Sequence, residues 1–231
     1  LPTIRIAPWQ LAIAAAVFIV AASNRVLFRS LFDRLDPSSL AGAGFLATLI
    51  LLMVLVLTTI FLAVGFGWLM KSVIAVFLIA SSILAYFSND LGVVFDQDML
   101  RNVAETVRDN NFAEATELAS GPLLRHVFLF GVLPALVLSF VQLQQRRFFG
   151  ELGVRALVLM VGLVLLASVT MPNFRFIAYF ARENTNLEME VTPIYPLISM
   201  VRLSRDYLRP KTTFHVIDAA AFQRTTSKRK S

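Results

Sequence analysis

The sequence predicts an all-α membrane protein of five transmembrane helices, with short amphipathic surface helices on the periplasmic side. Two observations predict it. Apolar residues make up 57% of the 231-residue chain and charged ones only 16%, where soluble domains carry about 45–50% and about 25%. Five runs are also apolar over roughly the 20 residues that a helix needs to cross a hydrocarbon core about 30 Å thick.

The first run extends from Trp9 to Phe28 and is interrupted late by Asn24 and Arg25. The stretch from Gly44 to Phe87 is too long for one span. It breaks at Gly65 to Lys71, where two glycines and a lysine interrupt the apolar run, giving spans over 44–64 and 71–87. The fourth span, Leu123 to Leu143, contains Pro134, which should kink the helix without ending it because a membrane helix can re-satisfy the freed carbonyl. The fifth covers Val154 to Met171 and stops at the motif MPN. The transmembrane domain thus occupies 1–172, with periplasmic surface helices over about 88–120. Residues 173–209 form a periplasmic extension with an amphipathic bridging helix, and 210–231 a linker. The chain begins at Leu1 rather than Met, so further residues are expected upstream. The long first run without a cleavage pattern argues against a signal peptide. Cysteine is absent, which removes disulfides and thiolate metal sites from consideration.

An odd number of spans puts the two ends on opposite sides of the membrane. Arg146, Arg147 and Arg155 after span four, and Lys71 after span two, fall on one side. The positive-inside rule makes that side cytoplasmic, and Trp9 and Trp68 fall at the same interface. The N-terminus is therefore expected in the cytoplasm and the C-terminus in the periplasm of a bacterial inner membrane. The net charge of +6 reflects anionic lipid and this bias, and nucleic acid is not an expected partner.

The loop segment DQDMLRNVAET, residues 96–106, has the marks of an interfacial helix. Asp96 suits an N-cap and Asp98 the first turn. Met99, Leu100, Val103 and Val107 recur at helical spacing, while Asn102, Thr106 and Asn110 form an i, i+4, i+8 strip on another face. Asn111 can cap a second short helix, with Glu114 three positions on as in a capping box. Ser120, Gly121 and Pro122 then lead into span four. In the tail, LISMVRLSRDYL puts Leu197, Val201, Ser204 and Leu208 near one face and Arg202, Arg205 and Arg209 elsewhere, a second surface-lying helix that Pro210 should end.

The segments YFSNDLGVVFDQDMLRNVAET, AEATELAS, GVLPALVLSF and TPIYPLISM resemble successive landmarks of the membrane domain of the lipid A phosphoethanolamine transferases, the family that includes the mobile colistin-resistance enzymes. The resemblance implies five transmembrane helices joined to a periplasmic, zinc-dependent, sulfatase-like catalytic domain. That domain moves phosphoethanolamine from phosphatidylethanolamine to a lipid A phosphate through a phosphothreonine intermediate, a modification tied to polymyxin resistance. The tail KTTFHVIDAAAFQRTTSKRKS is similar to the family's linker, so the catalytic domain is expected beyond it. With only His126 and His215 in the chain, no catalytic or metal-ligating residue is assigned here; zinc belongs to that further domain, and the chain is expected to be inactive alone.

By the same resemblance, Asn102 and Thr106 match positions that bind the phosphoethanolamine donor, together with a Glu one turn further on. Asn110 occupies that place, whereas the Glu in the matching context is Glu114, displaced by an apparent four-residue insertion. In an unbroken helix Glu114 would sit about 120° round from Asn102, so a break near Asn110 and Asn111 would be needed to return it. The bland alternative makes Asn102 and Thr106 the wet side of an interfacial helix and Glu114 a capping residue. A transporter or channel subunit is disfavoured because the five runs carry no mid-span ionisable residue. A lipoteichoic-acid-synthase-like headgroup transferase would share the five spans but not the surface-helix sequence.

Overall fold

Hydrocarbon offers a backbone no outside hydrogen-bond partner, so a crossing segment must satisfy its own amides, as a helix does. The computed structural model describes residues 4–67, 69–108, 120–144 and 148–208. In chain order it has β1 (Ile4–Ile6), α1 (Pro8–Ser23), α2 (Arg25–Arg34), α3 (Leu40–Val64), α4 (Leu69–Leu91) and α5 (Gln97–Arg108). There follow α6 (Gly121–Val127), a π-helical turn (Phe128–Val132), α7 (Leu133–Phe140), β2 (Val141–Leu143), α8 (Phe148–Glu183), a 3-10 turn (Thr185–Glu190) and α9 (Ile194–Leu208). Among the described residues four helices are long and apolar enough to cross a membrane, and a fifth span results if the bent pair α1 and α2 is counted as one. The all-α membrane class holds.

At the centre, α1 lies against both α3 and α4. Its buried face includes Ala12, Ala15, Ala16 and Ile19, and the three alanines let helices approach closely where lipid removes the hydrophobic drive for association. Outside this trio, α8 packs along α3 and the α6–α7 span along α4. Few residues of these two outer members are fully buried.

Three spans differ from expectation. The first does not continue to Phe28; it turns by 67° after α1. From Arg25 onward Leu27, Leu31 and Leu35 are buried while Arg25, Arg29 and Asp33 are exposed, so α2 is an amphipathic helix folded over the bundle end. In the fourth, Pro134 has no N–H to give the Phe130 carbonyl, and the preceding turn widens so that the Leu133 amide reaches the Phe128 carbonyl. The wide turn sets Gly131 against Ser82 and Ile79 of α4, where a Cβ would collide. That helix ends at Phe140, not Leu143. The fifth does not stop at MPN: α8 runs on through Pro172 to Glu183, and the Asn173 amide donates to the Val169 carbonyl (3.1 Å) beside the proline.

Strands were not expected, yet β1 and β2 pair in parallel, Ile4 opposite Val141 and Ile6 opposite Leu143. Three residues apiece is too short for a period-two pattern to register. This ladder puts the start of the chain and the end of the fourth span at one end of the bundle. Arg155, expected among the loop charges, is buried at that same end. It donates to the carbonyls of Leu62 and Gly65, pairs with Glu151, and lies 4.1 Å over the Phe66 ring. The last carbonyls of α3 have no helical partner, and Arg155 supplies one. Trp68, Arg146 and Arg147 lie outside the described residues.

The far end carries α2, α5, the start of α6, the exit of α8, and α9. Asn24, buried at the bend, gives its amide hydrogens to the carbonyls of Val20 (3.0 Å) and Thr192 (2.7 Å) and accepts from the Thr192 amide (2.8 Å). Asn89 of α4 accepts from the first-turn amide of Val26 (3.1 Å), and Arg34 donates to Asn184 (2.8 Å). The bridging helix is present as α9, but its buried face is Tyr195, Pro196, Ser199 and Leu203, whereas Val201 and Leu208 of the expected face are exposed. Docking through Thr192 sets its rotation, which helical periodicity alone does not contain. Asn24→Leu keeps the branched shape and heavy-atom count but leaves the Thr192 amide and carbonyl unpaired. It should cost about 3 kcal/mol, read as a lowered midpoint of thermal unfolding in detergent relative to the exposed control Ser168→Ala.

Candidate functional site

The site expected from the sequence lies on α5, and the reasons that α5 forms are local. The Asp96 carboxylate accepts from the Met99 amide (2.8 Å) and its carbonyl from the Leu100 amide (3.1 Å), so it is the N-cap. Asp98 in the first turn and Arg108 in the last each match the helix dipole. Asp98 also faces Arg101 at 3.6 Å, an exposed pair that contributes little. What places the helix is α9, against which it packs; Gln97 donates to the Asp206 carboxylate across the contact.

Asn102 and Thr106 sit one turn apart. The Thr106 hydroxyl donates to the Asn102 carbonyl at 2.9 Å, so its proton is committed to the backbone and its lone pairs remain. Asn102 is exposed, and its side-chain amide offers two donors and one acceptor. The pair can thus give hydrogen bonds to a phosphate from Asn102 and accept one from an ammonium at Thr106. Asn110 and Glu114, with the short helix expected from Asn111, lie outside the described residues.

Around the strip, Arg108 and Arg125 are exposed. Ser120 caps α6 by accepting from the Leu123 amide (3.4 Å), with Pro122 in the first turn. His126 stands between aromatic rings, 4.8 Å from Phe130 and 5.7 Å from Tyr86, and its Nε2 is buried without a hydrogen-bond partner among the described residues. In the turn between α2 and α3, the Ser38 hydroxyl (2.6 Å), then the Ser38 amide (3.0 Å), hold the exposed Asp36 carboxyl below its usual range. Among the described residues no three His, Asp or Glu side chains gather to hold a metal, so these residues do not fit a zinc site.

Sequence reasoning passed over a second feature at this end. A cleft between α3, the exit of α8 and α9 brings Asn184, Glu188 and Arg202 to one rim. Asn184 and Glu188 stand at i, i+4 spacing just past the fifth span, the signal that was available.

The family model for phosphoethanolamine transferase EptA/EptB matches residues 52–208. Phosphatidylethanolamine transferase Mcr-1 of Escherichia coli is 28% identical over 222 residues, which cover 93% of this chain and 40% of that protein. Mcr-2 of the same organism is 24% identical over 218 residues, covering 92% and 39%. Among solved structures, the integral membrane protein lipooligosaccharide phosphoethanolamine transferase A (EptA) from Neisseria meningitidis superposes with a TM-score of 0.78 at 19% identity, over 90% of this chain and 38% of that one. The chain therefore spans about two fifths of the length of these relatives, and the last likeness supports the helical membrane fold.

The seat of α5 can be tested directly. Asp206→Ala removes a charge-assisted hydrogen bond worth about 1 kcal/mol at an exposed site, so amide exchange in the first turns of α5 should quicken about fivefold while exchange in α3 is unchanged.

Proposed function

The chain belongs to the phosphoethanolamine transferase EptA/EptB family, and we propose that it is the membrane domain of an enzyme that moves phosphoethanolamine from phosphatidylethanolamine to lipid A. The observation that carries this reading is that the matched stretch, 52–208, takes in α5 and α9 together. In this reading the five-pass bundle anchors a periplasmic catalytic domain lying beyond residue 231, and that domain supplies the zinc and the nucleophile. This chain's own work is to bind and orient the donor headgroup at the lipid boundary. The amide of Asn102 holds the phosphate, the Thr106 oxygen accepts from the ammonium, and Asn110 and Glu114 complete the site, with Glu114 as the countercharge. A headgroup fixed in this way meets its nucleophile as an oriented neighbour, which removes entropy from the transfer step. The orientation that follows has the N-terminus in the cytoplasm and α5 on the periplasmic face of the inner membrane. Adding ethanolamine to lipid A offsets phosphate charge, which weakens attraction for cationic polymyxins.

The test uses the chain joined to its catalytic domain, with donor-lipid turnover as readout. Asn102→Ala and Glu114→Ala should each lower kcat/KM about tenfold, mainly through KM, because they remove binding shared by ground and transition states. Thr106→Ala should lower it by about threefold. Wild-type rates in all three variants at normal expression would overturn the donor site.

A further inference from the structure

We propose that the cleft between α3, the exit of α8 and α9 holds an acyl chain of a membrane glycerophospholipid, with Arg202 at the mouth taking its phosphate. The cleft has a volume of about 490 Å³, within the roughly 300–1,000 Å³ of ligand sites. One wall runs down α3 from Phe45 to Val56, roughly 16 Å of helix. It begins at the far end of the bundle and descends into the hydrocarbon. The polar lining residues all belong to the chain after Ala181, so polarity is confined to one end. Leu52 and Ile198, on facing walls, are both partly exposed, and the cleft opens toward the surroundings rather than being sealed.

An apolar shaft with a charged rim is shaped for an amphiphile, and the solvent at this depth is lipid. Of the rim groups, Asn184 is already engaged by Arg34. Glu188 and Arg202 are exposed and have no ion-pair partner among the described residues. A guanidinium matches a phosphate with two parallel hydrogen bonds, which commits the occupant to a phospholipid rather than a neutral glyceride. The cleft shares no residue with the α5 strip. The two are linked only through α9, where Asp206, one turn beyond Arg202, holds Gln97, so a failure of the donor reading leaves this site standing.

The experiment is a lipid titration of the full chain in detergent, read by native mass spectrometry with phosphatidylethanolamine, phosphatidylglycerol, diacylglycerol and lipid A. The wild-type chain should retain one phospholipid, either headgroup serving, and hold it about tenfold more tightly than diacylglycerol. Arg202→Gln, an exposed substitution that should not disturb folding, should erase that tenfold advantage without changing diacylglycerol binding. Leu49→Trp should fill the shaft and abolish retention of both lipid classes, whereas Leu136→Trp, on the outward face of α7, should change nothing. Equal retention of diacylglycerol and phospholipid, unchanged phospholipid binding in Arg202→Gln, or preference for lipid A would each overturn the proposal.

Discussion

The side chain of Asn24 sits fully buried at the 67° turn between α1 and α2, with its amide hydrogens on the Val20 and Thr192 carbonyls and its oxygen on the Thr192 amide. Burying that group without partners would cost several kcal/mol. The bend and the return of the chain at Thr192 therefore stabilise each other, though they are 168 residues apart. Thr192 stands two residues before α9, so fixing it fixes where that helix begins and which face it buries. From α9 the constraint passes to α5 through Asp206 and Gln97, and to the cleft wall through Tyr195, Ile198 and Arg202. Asn24 thus ties the bend to the start of α9, alongside the Asn89–Val26 and Arg34–Asn184 contacts at the same end.

The opposite end is closed by different chemistry with the same logic. Arg155 satisfies orphan carbonyls at the end of α3 while Glu151 balances its charge, and β1–β2 ties the chain start to the end of the fourth span. Between these polar closures the helices touch through small and apolar side chains, where packing and not water expulsion holds them. The two outer spans are left to face lipid. The exposed strip of α5 and the polar rim of the cleft both lie at the far end.

What was legible in the sequence follows from length scale. Runs of twenty apolar residues and the Asp96 cap are local patterns, and they revealed that the spans and α5 exist, though not where the first, fourth and fifth spans end. The bend at Asn24 was hidden because the apolar run to Phe28 outweighed the Leu27–Leu31–Leu35 stripe, although the stripe was present. Arg155 read as a loop charge because its partners, the Leu62 and Gly65 carbonyls, are backbone groups roughly 90 positions away that carry no sequence signal. The rotation of α9 and the rim of the cleft are likewise set by non-local contacts. Asn102 and Thr106 were found as a strip, but the backbone bond that occupies the Thr106 proton is a conformational fact that spacing does not encode.

The central claim is that α5 lies at headgroup depth, on the face opposite the chain start. The absence of cysteine permits a single spin label at Thr106→Cys in a chain reconstituted, in one orientation, into sealed vesicles, with collision rates measured against lipid-soluble oxygen and a water-soluble nickel chelate. Comparable access to both is predicted, together with protection of a second label at Ile4→Cys from a membrane-impermeant reductant confined to the α5 side. Full aqueous exposure of the Thr106 label, or reduction of both labels from one side, would contradict it.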